Sequence, residues 1–251
     1  MQHLSQNSKN QNSHLQFSWY NYGSGGEREY MLKVVVFDCG YGGEFFADKL
    51  AEELPILDII RVVDWRHAAD IQSNPRLARK YTEQALRPYI GRAELIIFAN
   101  HFLTATSLKY FRRKYKDQKF IGLRLKRPNS PIKRDTLILA TKAITRTVNY
   151  YNFLFHIDRK SKTLTLDTWP AQIDDGELTK DEVRLTLEHF IAKSKLDPGE
   201  IILACSHFSD LKPTLRSIFG CTVKIYDSTE DAISEACKAL NIRGGTGKKS
   251  K

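Results

Sequence analysis

Residues 203–208, Leu-Ala-Cys-Ser-His-Phe, follow a predicted strand and open a predicted helix. Cys205 and His207 therefore stand together at the carboxyl end of a strand, where open α/β sheets bind their ligands. A second corner of this kind lies at residues 36–43, Val-Phe-Asp-Cys-Gly-Tyr-Gly-Gly, where an acid, a thiol and three glycines crowd together. We expect the two corners to face one cleft.

Short β-branched runs alternate with helical stretches along the chain, which is typical of parallel sheets. The strands are predicted at 32–37, 59–63, 95–98, 120–123, 137–139, 201–204 and 223–226. The helices are predicted at 43–54, 75–90, 104–116, 141–153, 180–195, 208–219 and 229–240. A polar stretch at 158–180 is interpreted as a hairpin and loop. The predicted fold class is α/β: two doubly wound parallel-sheet domains related by pseudo-symmetry, with an interdomain cleft.

Length and composition divide the 251 residues into a folded body and two tails. Residues 1–30 are rich in Gln, Asn, Ser and Gly without apolar periodicity, and residues 244–251 form a short basic end, so both are expected to be disordered. The first α/β domain is expected to span 31–123 plus 227–243, and the second 124–226. No run reaches the roughly twenty apolar residues of a membrane helix, so a cytoplasmic protein without membrane contacts is expected.

Four cysteines, at positions 39, 205, 221 and 237, lack both metal-ligand spacing and the density of a disulfide scaffold. Reduced thiols are therefore expected. Cys221 and Cys237 lie in apolar surroundings and are interpreted as buried structural residues. Cys39 and Cys205 remain as candidates for chemistry.

The net charge of +10 is concentrated in one segment. Between Lys109 and Arg134 there are eleven Lys or Arg residues against one acid, Asp117, so the rest of the chain sums to zero. The segment has no recognisable nucleic-acid-binding motif, and we therefore consider nucleic acid an unlikely partner. A solvated helix end and crossover loop, or a field that steers a small anionic substrate, are the two interpretations.

The two corners and several other segments resemble one family. Asp38-Cys39-Gly40-Tyr41-Gly42-Gly43 is similar to the Asp-Ser-Gly-x-Gly-Gly opening of glutamate racemases, members of the cofactor-independent aspartate/glutamate racemase superfamily. Ala204-Cys205-Ser206-His207-Phe208 with Leu211-Lys212-Pro213 resembles their Gly-Cys-Thr-His-Tyr-Pro-x-Leu-x-Pro segment. Asp227-Ser228, Leu139-Ala140-Thr141 and Tyr150 also match family positions. The resemblance spans about residues 32–240.

The resemblance implies interconversion of L- and D-glutamate by thiol-based transfer of the α-proton, which supplies D-glutamate for peptidoglycan. Such chemistry needs a base on one face of the substrate, an acid on the other and donors for the developing charge. By resemblance, Cys205 with His207 serves one face, Asp38 assists the opposite face, and Asp174 in Ile-Asp-Asp-Gly is the counterpart of a family glutamate. The implied substrate-binding residues are Cys39, Gly42, Gly43, Asp64, Asn100, Thr141 and Ser206.

The chain also departs from the family pattern. The first family thiol lies in Ala-Cys-Asn-Thr, and the aligned residues are Phe98-Ala99-Asn100-His101, so Ala99 replaces that cysteine. A methyl group cannot exchange a proton. The family loop Asp-Thr-Ala-Arg-x-Pro-Tyr-Gly appears as residues 64–71, Asp-Trp-Arg-His-Ala-Ala-Asp-Ile, and loses its Pro-Tyr-Gly portion.

Three interpretations of Ala99 remain open. Cys39 or His101, on loops bordering the missing thiol, replaces it and racemisation survives. Alternatively, Cys205 works alone on a single face, as in the one-cysteine decarboxylases of the superfamily. In the third interpretation the chain is a catalytically silent homologue that binds a ligand or an anionic partner.

The resemblance carries expectations about partners as well. The substrate is expected to be a small acidic amino acid and the assembly a homodimer. The family requires neither pyridoxal phosphate nor metal, and the sequence contains no phosphate loop or metal-ligand pattern. We therefore expect no cofactor.

Overall fold

A computed structural model describes residues 31–126, 135–157 and 160–242, which form two parallel sheets of four strands each. The predicted tails, 1–30 and 244–251, lie outside the described residues, as does part of the basic segment, 127–134. The first sheet has the order β2-β1-β3-β4 and contains β1 Leu32–Asp38, β2 Leu57–Val63, β3 Leu95–Phe98 and β4 Phe120–Gly122. The second has the order β6-β5-β7-β8 and contains β5 Asp135–Ala140, β6 Ser161–Thr165, β7 Pro198–Ala204 and β8 Lys224–Tyr226.

The two sheets have the same topology, since each strand of the first has a counterpart four strands later at the same place in the second. In each sheet the chain reverses its winding direction between the two central strands, so both sheets are doubly wound. The predicted fold class, with its pseudo-symmetry, is confirmed.

Ten α-helices connect and flank the strands within the described residues. They are α1 Gly42–Glu53, α2 Ala68–Ser73, α3 Pro75–Leu86, α4 His101–Lys114, α5 Lys142–Thr145, α6 Val148–Phe155, α7 Trp169–Asp174, α8 Lys180–Ser194, α9 Lys212–Phe219 and α10 Thr229–Leu240. Short 3₁₀ turns at Trp65–His67 and Ser206–Leu211 precede α2 and α9. None of these helices has the length and apolar character needed to cross a membrane.

Side-chain caps explain why several helices begin where they do. The Asn100 side chain accepts a hydrogen bond from the Leu103 amide at the start of α4. The Asn74 side chain, directly before Pro75, accepts hydrogen bonds from the amides of Arg76 and Leu77 at the start of α3. Thr179 caps α8 in the same way. Asn and Thr are preferred at these positions because their oxygens satisfy amides that have no partner inside the helix.

Three parts of the structure differ from the sequence prediction, and the first is the short helix α2, Ala68–Ser73, which was not predicted. The stretch at 158–180 is not a hairpin: Ser161–Thr165 forms the parallel edge strand β6 beside β5, and Trp169–Asp174 forms α7. An edge strand has one neighbour and tolerates polar residues, which is why its sequence resembled a loop. The single helix predicted at 141–153 is broken at Thr147, whose side chain caps the new helix α6.

The core lies on both faces of each sheet. In the first sheet, Phe98 is fully buried and packs edge-on against Phe111, with ring centroids 5.3 Å apart. On the opposite face, Ala232 and Ala236 of α10 pack with residues of β1, β3 and α1. The last described helix therefore packs on the first sheet, although it follows the second in sequence.

Much of the described basic segment is neutralised locally. Arg112 and Arg124 both pair with Glu235 of α10, Lys126 pairs with Asp231, and Lys114 pairs with Glu83 of α3. These ion pairs favour the interpretation of a solvated, internally paired surface.

We predict that Phe98→Ala lowers the free energy of unfolding by about 3–5 kcal/mol, because it removes a buried aromatic side chain that the packed cluster cannot replace. Urea unfolding checks this value. Leu185→Ala is the control: Leu185 is 65% exposed, so its change is expected to stay within about 0.5 kcal/mol. A loss for Phe98→Ala as small as that of the control would contradict the packing described.

Candidate active site

The structure brings the two predicted corners together. The loop after β1 and the turn after β7 meet at the carboxyl ends of their sheets, and the Gly42 amide donates a hydrogen bond to Nε2 of His207 over 3.2 Å. The contact joins residues that are 165 positions apart in the chain. One interface therefore contains the candidate groups of both sheets.

The glycines of the loop permit this close approach. A Cβ at Gly42 would lie 2.8 Å from both Nδ1 of His207 and Cβ of Ser206, and one at Gly43 would lie 2.6 Å from Cβ of Asp38. Separations this short do not occur between real side chains and their neighbours. Positions 42 and 43 therefore have no room for a side chain larger than that of glycine.

Cys205, His207 and Asp174 form a chain of polar contacts. Sγ of Cys205 lies 3.6 Å from Nδ1 of His207, and Nε2 of His207 lies 3.2 Å from Oδ2 of Asp174, the last residue of α7. Burial by itself would lower the pKa of His207. Hydrogen bonds to Asp174 and Cys205, with the negative charges of Cys205 and Asp38, outweigh burial and raise the pKa to about 11.

Nε2 of His207 has two alternative partners. In the neutral ring Nε2 accepts a hydrogen bond from the Gly42 amide, whereas in the imidazolium it donates a hydrogen bond to Asp174. One nitrogen cannot do both at once. Protonation of His207 therefore favours Asp174 and frees the Gly42 amide, which can then bind an anionic group.

Asp38 lies on the other side of the glycine loop and is almost fully buried. Its Oδ1 accepts hydrogen bonds from the Cys39 amide at 2.6 Å and from Nδ2 of Asn100 at 2.9 Å. Its Oδ2 is buried and accepts no well-aligned hydrogen bond, although the nearby Gly43 amide acts on the carboxyl and lowers its pKa. Burial raises the pKa of Asp38 to about 6, against the opposing effects of the His207 charge and of hydrogen bonding to the carboxylate.

Cys39 is buried in the hydrophobic core of the first sheet. Its Sγ lies 3.5 Å from Nε2 of Gln72 and 3.6 Å from Nδ2 of Asn100. Burial, together with the charge of Asp38, raises the pKa of this thiol well above its usual value. These surroundings keep Cys39 in its neutral thiol form.

His101 begins α4 and faces a different neighbourhood. Its Nε2 lies 3.0 Å from Oγ of Ser228, whose hydroxyl donates to the carbonyl of Arg124. Because the Ser228 hydroxyl already donates its proton to the Arg124 carbonyl, Nε2 of His101 must be the donor in its contact with Ser228. Burial lowers the pKa of His101 to about 4, so the ring is neutral near pH 7. It lines a cavity of about 470 Å³ that also contains Leu125 and Phe153.

The other predicted binding residues occupy three places. Ser206 lies against Gly42, and Asn100 lies against Asp38. Asp64 is engaged by His67, whose Nδ1 is 2.9 Å from its carboxylate. Thr141 precedes α5 in the second sheet and is only partly buried. The structure thus gathers Asp38, Asn100, Gly42, Gly43, Ser206, Cys205, His207 and Asp174 around one interface.

The sequence analysis missed the role of a partly buried ion pair behind the turn. Nζ of Lys212 lies 2.7 Å from Oδ2 of Asp227, which also accepts from Oγ of Ser209. Burial opposes ionisation of Asp227, but the hydrogen bond and charge of Lys212 lower its pKa. The pair fixes the Ser206–Leu211 turn to the end of β8. The Lys-Pro and Asp-Ser motifs were visible in the sequence, but their contact was not.

One cysteine prediction is wrong. Cys221 is exposed, because it lies in the turn between α9 and β8 that begins at Gly220. Within residues 31–126, 135–157 and 160–242, no three His, Cys, Asp or Glu side chains are grouped to hold a metal ion.

Solved structures of other proteins share the fold of this chain. No family model matches the chain. A structure of an aspartate racemase homologue from Pyrococcus horikoshii superposes with a TM-score of 0.53 at 14% identity, covering 84% of this chain and 100% of that one. The chain therefore shares its two-sheet α/β fold with that protein.

The resemblance to glutamate racemases is confirmed. Glutamate racemases from Pseudomonas syringae and Campylobacter curvus are both 24% identical to the chain, covering 84% and 86% of it and 79% and 87% of their own lengths. Structures of the Escherichia coli enzyme with L-glutamate and the activator UDP-MurNAc-ala, and of the Francisella tularensis enzyme with D-glutamate, superpose with TM-scores of 0.68. Each is 19% identical, covering 88% of this chain and 86% of that one.

We predict that Gly42→Ala disturbs the interface more than Gly40→Ala. A Cβ at Gly42 meets His207 and Ser206 at 2.8 Å, whereas one at Gly40 meets only the tip of the His207 ring, at 3.2 Å. Overpacking at Gly42 is expected to cost about 1–3 kcal/mol of unfolding free energy. Thermal unfolding and NMR titration of His207 measure the effect; equal changes in the two variants would contradict this geometry.

The raised pKa of His207 predicts a pH-dependent stability. The folded state holds the extra proton more tightly than the unfolded state, so this contribution is complete below the unfolded pKa near 6.5 and is lost as pH rises toward about 11. The unfolding free energy of the wild type, minus that of His207→Gln, should therefore decrease between pH 7 and 10. A difference that stays constant or increases over that range would count against the His207 contacts.

Proposed function

We propose that this protein is an amino-acid racemase that interconverts L- and D-glutamate without a cofactor, with Cys205 as the proton-transferring thiol. The observation that carries the proposal is the Cys205–His207–Asp174 chain, which lies at the end of β7 and against the Gly42 amide of the opposite sheet. The similarity to glutamate racemases supports the choice of reaction.

The Cys205 thiolate removes the α-proton on one face of the substrate. An imidazolium at His207, hydrogen-bonded to Asp174, stabilises that thiolate before the transfer. Because protonated His207 no longer accepts from Gly42, that amide becomes available to the substrate carboxylate, where negative charge develops. Protonation of His207 thus has two effects: it stabilises the Cys205 thiolate, and it frees the Gly42 amide to bind an anion.

The surrounding polar groups bind the substrate. The Gly42 amide and the hydroxyl of Ser206, which lie against each other, receive the α-carboxylate. Glutamate is the substrate we favour because two of the similar structures contain L- or D-glutamate. A supply of D-glutamate for peptidoglycan, a homodimeric assembly and a cytoplasmic location complete the proposal, all by analogy with the family.

A second candidate function is proton transfer on a single face, as in a decarboxylase with one thiol. It is favoured by Ala99, which is fully buried and lies where the family has its other cysteine. Neither replacement considered from the sequence is well suited to the task. Cys39 is held as a neutral thiol in the core, and His101 is turned toward Ser228.

We predict that Cys205→Ala lowers exchange of the glutamate α-proton about 10²–10⁴-fold, the usual contribution of a general base. Loss of the α-proton NMR signal in deuterated water, followed separately for L- and D-glutamate, measures it. Cys221→Ala removes an exposed thiol away from the interface and is the matched control.

The same assay separates the alternatives. Exchange with interconversion supports the racemase, and exchange of one enantiomer without interconversion supports the single-face candidate. Wild-type protein that exchanges neither enantiomer would overturn both, and would favour a catalytically silent homologue that only binds a ligand.

A further inference from the structure

Because position 99 is an alanine, one face of the substrate lacks a thiol. The side chain next to position 99 is the carboxyl group of Asp38. In the sheet register Phe37 of β1 pairs with Phe98 of β3, and the amide of Ala99 donates to the carbonyl of Phe37. Asp38 and Ala99 are therefore neighbours at the carboxyl ends of adjacent strands. An acid adjoins the position of the missing cysteine.

We propose that the carboxyl group of Asp38 itself carries the proton on the face opposite Cys205, in place of the thiol absent from position 99. This inference rests on the proposed function, and it assigns Asp38 direct proton transfer where the family resemblance implied only assistance. It makes the site an asymmetric pair of one thiol and one carboxyl.

The two carboxyl oxygens of Asp38 differ in their hydrogen bonding. Oδ1 is anchored by the Cys39 amide and by Asn100, which fixes the orientation of the carboxyl. Oδ2 is buried and accepts no well-aligned hydrogen bond, although the Gly43 amide is close enough to lower the pKa of the carboxyl. Buried polar atoms of this kind are uncommon in folded proteins. Oδ2 lies beside Gly43, where a Cβ would come within 3.2 Å of it. Of the two oxygens, Oδ2 is thus the one whose hydrogen-bonding capacity is not already used within the fold.

Charge and burial allow Asp38 to hold a proton near neutral pH. Burial raises its pKa to about 6, so both the carboxyl and the carboxylate forms are populated. The charge of His207, from the turn after β7, lowers the pKa of Asp38, and the charge of Asp38 in turn raises the pKa of its neighbour Cys39. Neither carries the second proton, because His207 serves Cys205 and Cys39 is a buried thiol.

The proposed step is balanced without a further reactant. Cys205 thiolate forms a bond to the α-proton, and the C–H electron pair moves into the substrate carboxylate to give an enediolate. Protonated Asp38 then gives its proton to the α-carbon on the opposite face. The protein is left with Cys205 as thiol and Asp38 as carboxylate, the starting state for the reverse reaction.

The decisive variant is Asp38→Asn, which keeps the shape and the anchored oxygen but cannot transfer the proton. We expect interconversion to fall at least 10²-fold, the lower end of general-acid contributions. Exchange of one enantiomer with deuterated water should remain within about 10-fold of wild type, since Cys205 still removes and returns a proton on its own face. Asp58→Asn, at an exposed aspartate of β2 in the same sheet, is the matched control.

A second variant keeps the test valid if the first folds poorly. Ala99→Cys combined with Asp38→Asn restores a thiol at the family position and is expected to recover interconversion. Recovery supports the assignment and shows that a chain carrying Asp38→Asn folds.

Three results would overturn the inference. Interconversion by Asp38→Asn at the wild-type rate would refute it while leaving Cys205 chemistry intact. Loss of exchange from both enantiomers in folded Asp38→Asn would mean that Asp38 acts on the Cys205 side or in binding. Wild-type protein that exchanges only one enantiomer would exclude any second-face acid, whereas wild-type protein with no exchange would refute the proposed function itself.

Discussion

The contact between the His207 ring and the glycine loop at residues 40–43 is the constraint on which the rest of the site depends. It brings the end of β7 within hydrogen-bonding distance of the loop after β1, although the two belong to different sheets. Side chains at Gly42 or Gly43 would collide with Ser206, His207 or Asp38. The loop therefore has to present bare amides to the interface. Those amides can stabilise an anion, so the same absence of side chains that permits packing also provides the binding surface.

Burial acts differently on the titratable groups around this contact. His207 lies between Cys205 and Asp174, and its raised pKa reflects these negative partners despite burial. Asp38 lacks comparable compensation, and burial raises its pKa instead. Cys39, deeper in the core, is held as a thiol. The two sheets thus contribute different groups to the interface. The second sheet contributes a thiol with an imidazole, and the first contributes a carboxyl whose pKa of about 6 allows both of its forms near neutral pH.

Most of the fold could be predicted from the sequence because the central strands are short β-branched runs between helical stretches. Seven of the eight strands in the described part of the chain were expected, and only β6 was missed. Its sequence, Ser-Lys-Thr-Leu-Thr, is polar because β6 is an edge strand with a single partner, β5. The break between α5 and α6 was also missed, since Thr147 ends one helix by capping the next. Both errors arise where the tertiary environment outweighs local propensity.

The sequence by itself determined the α/β class, the two corners and the residue types that they contain, because periodicity and motif spacing are local properties of the chain. It also determined that position 99 has a methyl group. Only the tertiary structure decided which of the candidate groups meet, since Gly42 and His207 are 165 residues apart. The burial of Cys39 and the contact of His101 with Ser228 are likewise visible only in the tertiary structure. It also left one oxygen of Asp38 without a well-aligned hydrogen bond, because hydrogen bonding and desolvation depend on neighbours that are distant in sequence.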